Sequence, residues 1–277
     1  MSNINLYATL AEYKAYSTAR GQTASTDTAD DGVIVDLLEQ ASRYLDDKTG
    51  RQFYPTVETR VYDIPSSSTL WLDGDLLSLT TLTNGDATTI SSTNYSLLDS
   101  NVTPYYAIKL KDISSVAWVA NSSNSNEQVI SVAGFWGFRP QYTQRAWSLV
   151  GTLGAAITDT TTLAFTMTAG HTVTVGKILK IDSEIYNIAT VSTNTVTPIA
   201  RGDNGSTAAT HLISANVYAW NALPKNETLE LANSAYQRRF GKSTGDSVTV
   251  TGSGVVIVPR DVSRMVQDFI DTHMRYV

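Results

Sequence analysis

The chain has 277 residues, 42% of them hydrophobic and only 17% charged, with a formal net charge of -6. That apolar share excludes a disordered tail, and a pI near 5.0 gives no support to a chain-wide grip on nucleic-acid phosphates, which needs clustered Lys and Arg. With no cysteine, disulfides, thiolate metal sites and cysteine nucleophiles are excluded together.

Ser and Thr supply about a quarter of the positions, which favours strands with hydroxyl-bearing faces. No apolar run reaches the roughly 18 residues of a membrane span. The start MSNINLYATL lacks the basic and apolar stretches of a secretion signal, so synthesis in a host cytoplasm and no membrane partner are expected.

In chain order, Thr9-Leu10-Ala11-Glu12 reads as a capping box opening a short helix that Gly21 stops. After a polar loop, Thr28 or Asp30 caps a second helix with Ile34, Leu37, Leu38, Ala41 and Leu45 on one stripe, ending at Gly50. From Val57 to about Phe138 the period changes to two, which predicts a small antiparallel sheet with Asn84-Gly85-Asp86 as a hairpin turn. From about Ala146 to Asn221 only seven residues are charged, a composition shift that marks a separate module. Its alternating core, VGKILKIDSEIYNIATVSTNTVTPIA, turns at Asp182-Ser183 and Thr193-Asn194, as a small barrel or sandwich would. A third helix is expected over about Lys225 to Phe240, stopped by Gly241, followed by a Gly/Ser/Thr-rich extended loop from Lys242 to Gly254. Pro259 and Asp261 launch a last helix bearing Val262, Met265, Val266, Phe269, Ile270, His273 and Met274 on one stripe.

The expected fold is α+β: a helical connector core with a small antiparallel β-sheet, formed discontinuously by residues 1–145 and 222–277. A small β-barrel or sandwich is inserted at 146–221.

Groups that could carry catalysis are sparse. His171, His211 and His273 are not at metal-ligand spacing and read as loop or surface histidines. Asp73, Asp75 and Asp86 lack the spacing of a calcium loop and read as turn residues. No phosphate loop or nucleophile elbow is present. No enzyme, cofactor or metal is therefore expected. The aromatics Trp118, Phe135, Trp136, Phe138, Tyr142 and Trp147 suit a sheet core, an exposed stacking ladder or a subunit interface.

The run Leu38-Glu39-Gln40-Ala41-Ser42-Arg43-Tyr44-Leu45-Asp46-Asp47-Lys48-Thr49-Gly50-Arg51-Gln52-Phe53 resembles the head-tail connector (adaptor, or head-completion) proteins of tailed phages, where an alanine-containing helix runs into Thr-Gly-Arg-x-Phe. Tyr7-Ala8-Thr9, Leu70-Trp71-Leu72-Asp73, Asn94-Tyr95-Ser96-Leu97, Gly134-Phe135-Trp136-Gly137 and Val258-Pro259-Arg260-Asp261-Val262 agree with that family in order. The resemblance spans about residues 5–140 and 224–277. Arg201-Gly202-Asp203-Asn204-Gly205-Ser206-Thr207-Ala208-Ala209-Thr210-His211 in the inserted stretch resembles a glycine-turn motif of small β modules in phage structural proteins.

The resemblance implies a virion protein of the neck. It would form a homo-oligomeric ring, usually dodecameric, between the portal protein and a stopper or tail-completion protein, with DNA passing through its lumen without sequence-specific binding. The carboxy-terminal residues Arg264, Phe269, His273, Met274 and Tyr276 are expected to dock on the portal, with packing of the same stripe inside the subunit as the alternative. The loop bearing Lys242, Asp246, Val248 and Val250 is expected at the lumen or the next ring, and Arg43, Arg51, Trp136 and Trp147 at subunit interfaces. The inserted module is expected to project outward. The competing class is a carbohydrate-binding or tail-tip β-rich virion module.

Overall fold

The computed structural model describes residues 5–21, 28–240, 249–250, 256–257 and 262–275. Helix α1 (Leu10–Ala19) opens on the Thr9–Glu12 capping box, whose side chains each bond the other's backbone N–H. Helix α2 (Asp31–Thr49) ends at Gly50, at φ +63°, a left-handed conformation that glycine adopts without a Cβ clash. Asp30 sits at its N-cap without capping it, because its carboxylate accepts the Tyr236 hydroxyl instead (2.6 Å).

Five strands follow: β1 (Thr56–Tyr62), β2 (Thr69–Thr83), β3 (Tyr95–Leu98), β4 (Tyr105–Leu110) and β5 (Ile130–Trp136). They form one antiparallel sheet in the order β1-β5-β2-β4-β3. The 15-residue β2 pairs first with β4 and then with β5, with a shift in register between Trp71 and Leu76. Its inner face buries Leu70, Leu72, Leu76 and Leu82 with Ile108, Ile130, Val132 and Trp136, and Val116 and Trp118 pack over them.

A short helix α3 (Tyr142–Arg145) leads into β6 (Trp147–Thr152), β7 (Phe165–Thr166), β8 (Ile178–Ile181), β9 (Glu184–Ser192), β10 (Thr195–Pro198) and β11 (Asn216–Trp220). Their order is β6-β11-β8-β9-β10-β7. A bridge between Leu153 and Met167, with Gly154 N–H to Thr166 O (2.8 Å) and Thr168 N–H to Thr152 O (2.9 Å), joins the two edges. The sheet thus closes on itself around Leu179, Ile181, Tyr186, Ile188, Val196 and Val217, and closure removes the open edges.

Helix α4 (Lys225–Phe240), the two-stranded pairing of β12 (Thr249–Val250) with β13 (Val256–Ile257), and α5 (Arg264–His273) complete the chain. Leu229 and Ala232 of α4 pack on Ile34, Leu37, Leu38 and Ala41 of α2, with Tyr13 of α1 beside them. Val266 and Ile270 of α5 pack on Leu45.

The expectation of a helical core carrying a small sheet is overturned. The described residues are mostly β, with antiparallel sheets of five and six strands and five helices of 4 to 19 residues. The reason is where the core sits: the longer helices lie only at the two ends of the chain, while from Thr56 to Trp220 eleven strands build two sheets with cores of their own, interrupted only by a four-residue helix and a 3-10 turn. The last helix also starts later than expected. Ser263 caps it by accepting from Val266 N–H, while Pro259 and Asp261 lie outside the described residues.

Candidate functional site

The Thr49–Phe53 run forms a joint among the helices, the first sheet and the barrel. Thr49 Oγ1 donates to Leu45 O (2.7 Å), closing α2 before the Gly50 turn. Arg51 then donates from Nε to His273 O (2.7 Å), pairs with Asp75, and lays its guanidinium 4.2 Å from the Phe138 ring centre. Phe53 is fully buried, with the Tyr7, Phe138 and Phe269 rings 5.8, 5.7 and 5.7 Å away. Its carbonyl accepts the Trp220 indole N–H of β11 (2.9 Å), and its N–H donates to the Tyr7 hydroxyl (3.0 Å). That hydroxyl donates in turn to Asp46. Burial pushes the Asp46 carboxyl up to about 6, against the opposing pull of Tyr7 and Arg43. Arg275 fastens the end of α5, donating from its backbone to Thr49 O (2.8 Å) and from Nη2 to Leu72 O (2.9 Å).

This joint absorbs several residues expected at interfaces. Arg43 donates to Asn5 O (3.0 Å), pairs with Asp46 (3.2 Å) and lies over the Tyr7 and Tyr54 rings. Arg51 is held as described. Trp136 is fully buried, with its indole N–H on Glu58 O (3.1 Å) and Arg60 across its ring at 4.2 Å. An interface role for Trp136 is therefore corrected: it closes its strand on the inner face of the sheet. Trp147 is half-buried, edge-on to Trp220 at 5.0 Å with Lys180 over its ring.

The expected portal-docking set divides. Phe269 and His273 stack on each other at 4.2 Å and 26° and face Phe53 and Phe138, so both serve intramolecular packing. Arg264 and Met274, with Met265 between them, are exposed. Tyr276, Lys242, Asp246 and Val248 lie outside the described residues, and Val250 is on β12.

A second constellation lies in the barrel and was missed from the sequence. Glu184, fully buried, accepts from Arg201 Nε (2.8 Å) and Nη2 (3.0 Å), from the backbone N–H of Gly202 (2.9 Å) and Ala209 (2.8 Å), and contacts His211 Nε2 (3.0 Å). Burial alone would raise this carboxyl, but Arg201, Ala209, His211 and Gly202 outweigh it and hold it down at about 2. Two carboxylate oxygens offer about four acceptor sites, so Glu184 is saturated by its partners, and its chemistry is to fasten the barrel wall. Reading His211 as a loop or surface residue is corrected too. It is buried between Glu184 and Asp182, 2.7 Å from its Nδ1.

The turn of the same motif seats the barrel on the rest of the molecule. Gly202, Asn204 and Gly205 are left-handed. Asn204 exchanges side-chain hydrogen bonds with Asn5 (2.8 and 3.0 Å) and donates to Pro55 O (2.9 Å). A Cβ on Gly205 would stand 2.1 Å from Val57 O, so only glycine lets the turn lie against β1.

Also unforeseen is an exposed aromatic pair on the first sheet. Trp71 of β2 is 65% exposed and stacks on Tyr106 of β4, with ring centres 5.7 Å apart and planes at 19°. Its signal, an aromatic between Leu70 and Leu72, was present in the alternation.

Among the described residues, no three His, Asp or Glu side chains gather as a metal site, and no helix is long and apolar enough to cross a membrane. No protein-family model matches the chain, and no curated protein matches it.

Proposed function

We propose that this chain is a structural subunit of a tailed-phage neck, forming an oligomeric adaptor ring between the portal and the tail or stopper and extending the DNA channel. The observation that carries this reading is the Thr49–Phe53 joint. The run with the clearest likeness to connector proteins is the one that ties α2, β2, the barrel and α5 together. Rigid attachment of the terminal helix suits a subunit that must hold two neighbours in register. Its outward side leaves Met265 and Met274, with the charged Arg264, available for the portal.

Ring closure needs heterologous contacts on both flanks of each subunit, and the acidic balance suits a lumen through which DNA slides without being retained. The test is to replace both exposed methionines by aspartate, Met265→Asp with Met274→Asp, and to measure capture by the cognate portal. A folded variant with capture weakened at least tenfold supports the reading. Undiminished capture removes α5 from the contact, and no capture of the native chain removes the reading.

A further inference from the structure

We propose that the open face of the first sheet is a saccharide site, which lays a short run of neutral pyranose units over Trp71 and into the groove beside it. The proposal goes beyond the adaptor reading and does not rest on it.

An indole left 65% exposed, with Tyr106 parallel against it, is a flat apolar platform with one ring face open to solvent. The C–H face of a pyranose is apolar and flat, and the aromatic ring matches it, while its hydroxyl edge needs acceptors and donors close by. Acceptors stand beside the platform, and donors line the groove next to it. Asp73, two residues along the strand, has a side chain 69% exposed and accepts from Arg60 and Tyr62 on one oxygen, leaving the other open. Asp99 accepts the Tyr106 hydroxyl (3.3 Å).

The register places a groove next to the platform. Trp71 lies opposite Ala107, Thr69 opposite Lys109, and Lys109 opposite Ser96. Residues paired directly across strands share a face, and two residues span about 7 Å, so Ser96 and Lys109 are on the Trp71 face one step away. They line a groove of about 290 Å³ with Lys111, Asp112 and Ile113. That volume is at the small end of ligand clefts, about 300 to 1,000 Å³, and suits one or two sugar rings. Three carboxylates, Asp73, Asp99 and Asp112, balance three cations, Lys109, Lys111 and the Arg60 that pairs with Asp73, and a surface without positive excess favours an uncharged glycan over a phosphate or an acidic polymer.

The test is saturation-transfer NMR on the full chain with chitohexaose, cellohexaose and maltoheptaose as probes. At least one is expected to receive magnetisation at its pyranose C–H protons. Trp71→Ala is expected to weaken that binding roughly tenfold, and Tyr106→Ala to weaken it less. Trp71 is a surface residue, so an unchanged circular dichroism spectrum will show the variant folded. No transfer to any of the three sugars overturns the proposal, as does transfer that survives Trp71→Ala. Loss of ring assembly in Trp71→Ala, with no sugar signal in the native chain, assigns the platform to a neighbouring subunit and overturns it as well. The adaptor reading is judged on assembly mass without sugar, so the two fail separately.

Discussion

Glu184→Gln is the change that best probes why the barrel holds. In the native protein five donors converge on one buried carboxylate at 2.8 to 3.0 Å. A glutamine of the same shape keeps one acceptor oxygen and turns an NH2 group toward at least two of those donors, whichever way the amide is flipped. It also leaves Arg201 without its counter-ion in a site where both side chains are buried. Removing one partner of a buried pair costs about 3–5 kcal/mol. The pH dependence gives an independent measure. Glu184 lies at about 2 in the folded protein against an ordinary 4.5, a displacement worth about 3 kcal/mol. Because the folded value is the lower one, this stabilisation is present above pH 4.5 and is lost as pH falls toward 2. Urea unfolding at pH 7 should therefore show Glu184→Gln less stable by about 3–5 kcal/mol. Between pH 5 and 2 the variant should lack the native protein's loss of about 3 kcal/mol. A difference below about 1 kcal/mol at pH 7, the size of an exposed ion pair, would refute the reasoning.

Arg51→Ala should loosen α5, since it removes the bond to His273 O, the Asp75 pair and the Phe138 contact. Amide exchange over residues 264–275 is expected to speed up roughly 30-fold or more while the centre of α2 stays protected; equal protection in both proteins would contradict the joint. Gly205→Ala and Gly170→Ala make a matched pair, because both glycines have positive φ but only Gly205 has a carbonyl where the Cβ would go. Gly205→Ala should exceed Gly170→Ala in lost stability by at least about 1 kcal/mol, and equal losses would mean that the turn does not bear on β1. Asp46 should titrate near pH 6 by carboxyl ¹³C NMR, a resonance assigned by its absence in Asp46→Asn. Its folded value is raised from 3.8, so its contribution to stability is greatest below pH 3.8 and falls as pH rises through 6, opposite to Glu184. A midpoint near 4 would refute its desolvation.

Local chemistry was legible in the sequence. The Thr9–Glu12 box, the Gly50 stop and the turns at Asp182-Ser183 and Thr193-Asn194 each depend on a few adjacent residues, and each is present. Burial decided by distant partners was not legible. Glu184 sits at a charged position in an alternating run with no local sign of burial, because the groups that bury it lie 17 to 27 residues away. Trp71 and Trp136 both occupy alternating strands, and only the register and the segment covering one face make the first exposed and the second core. The stripe of α5 announced a partner correctly but not which one. Val266 and Ile270 meet Leu45, and Phe269 meets Phe53, within the same chain.

The central claim is that this polypeptide works by assembling. Native mass spectrometry of the purified chain, alone and mixed with the portal protein it is proposed to bind, tests it most directly. The account expects a closed multiple of the 30.0 kDa subunit on the portal. A chain that stays at a single subunit mass in both samples would contradict it.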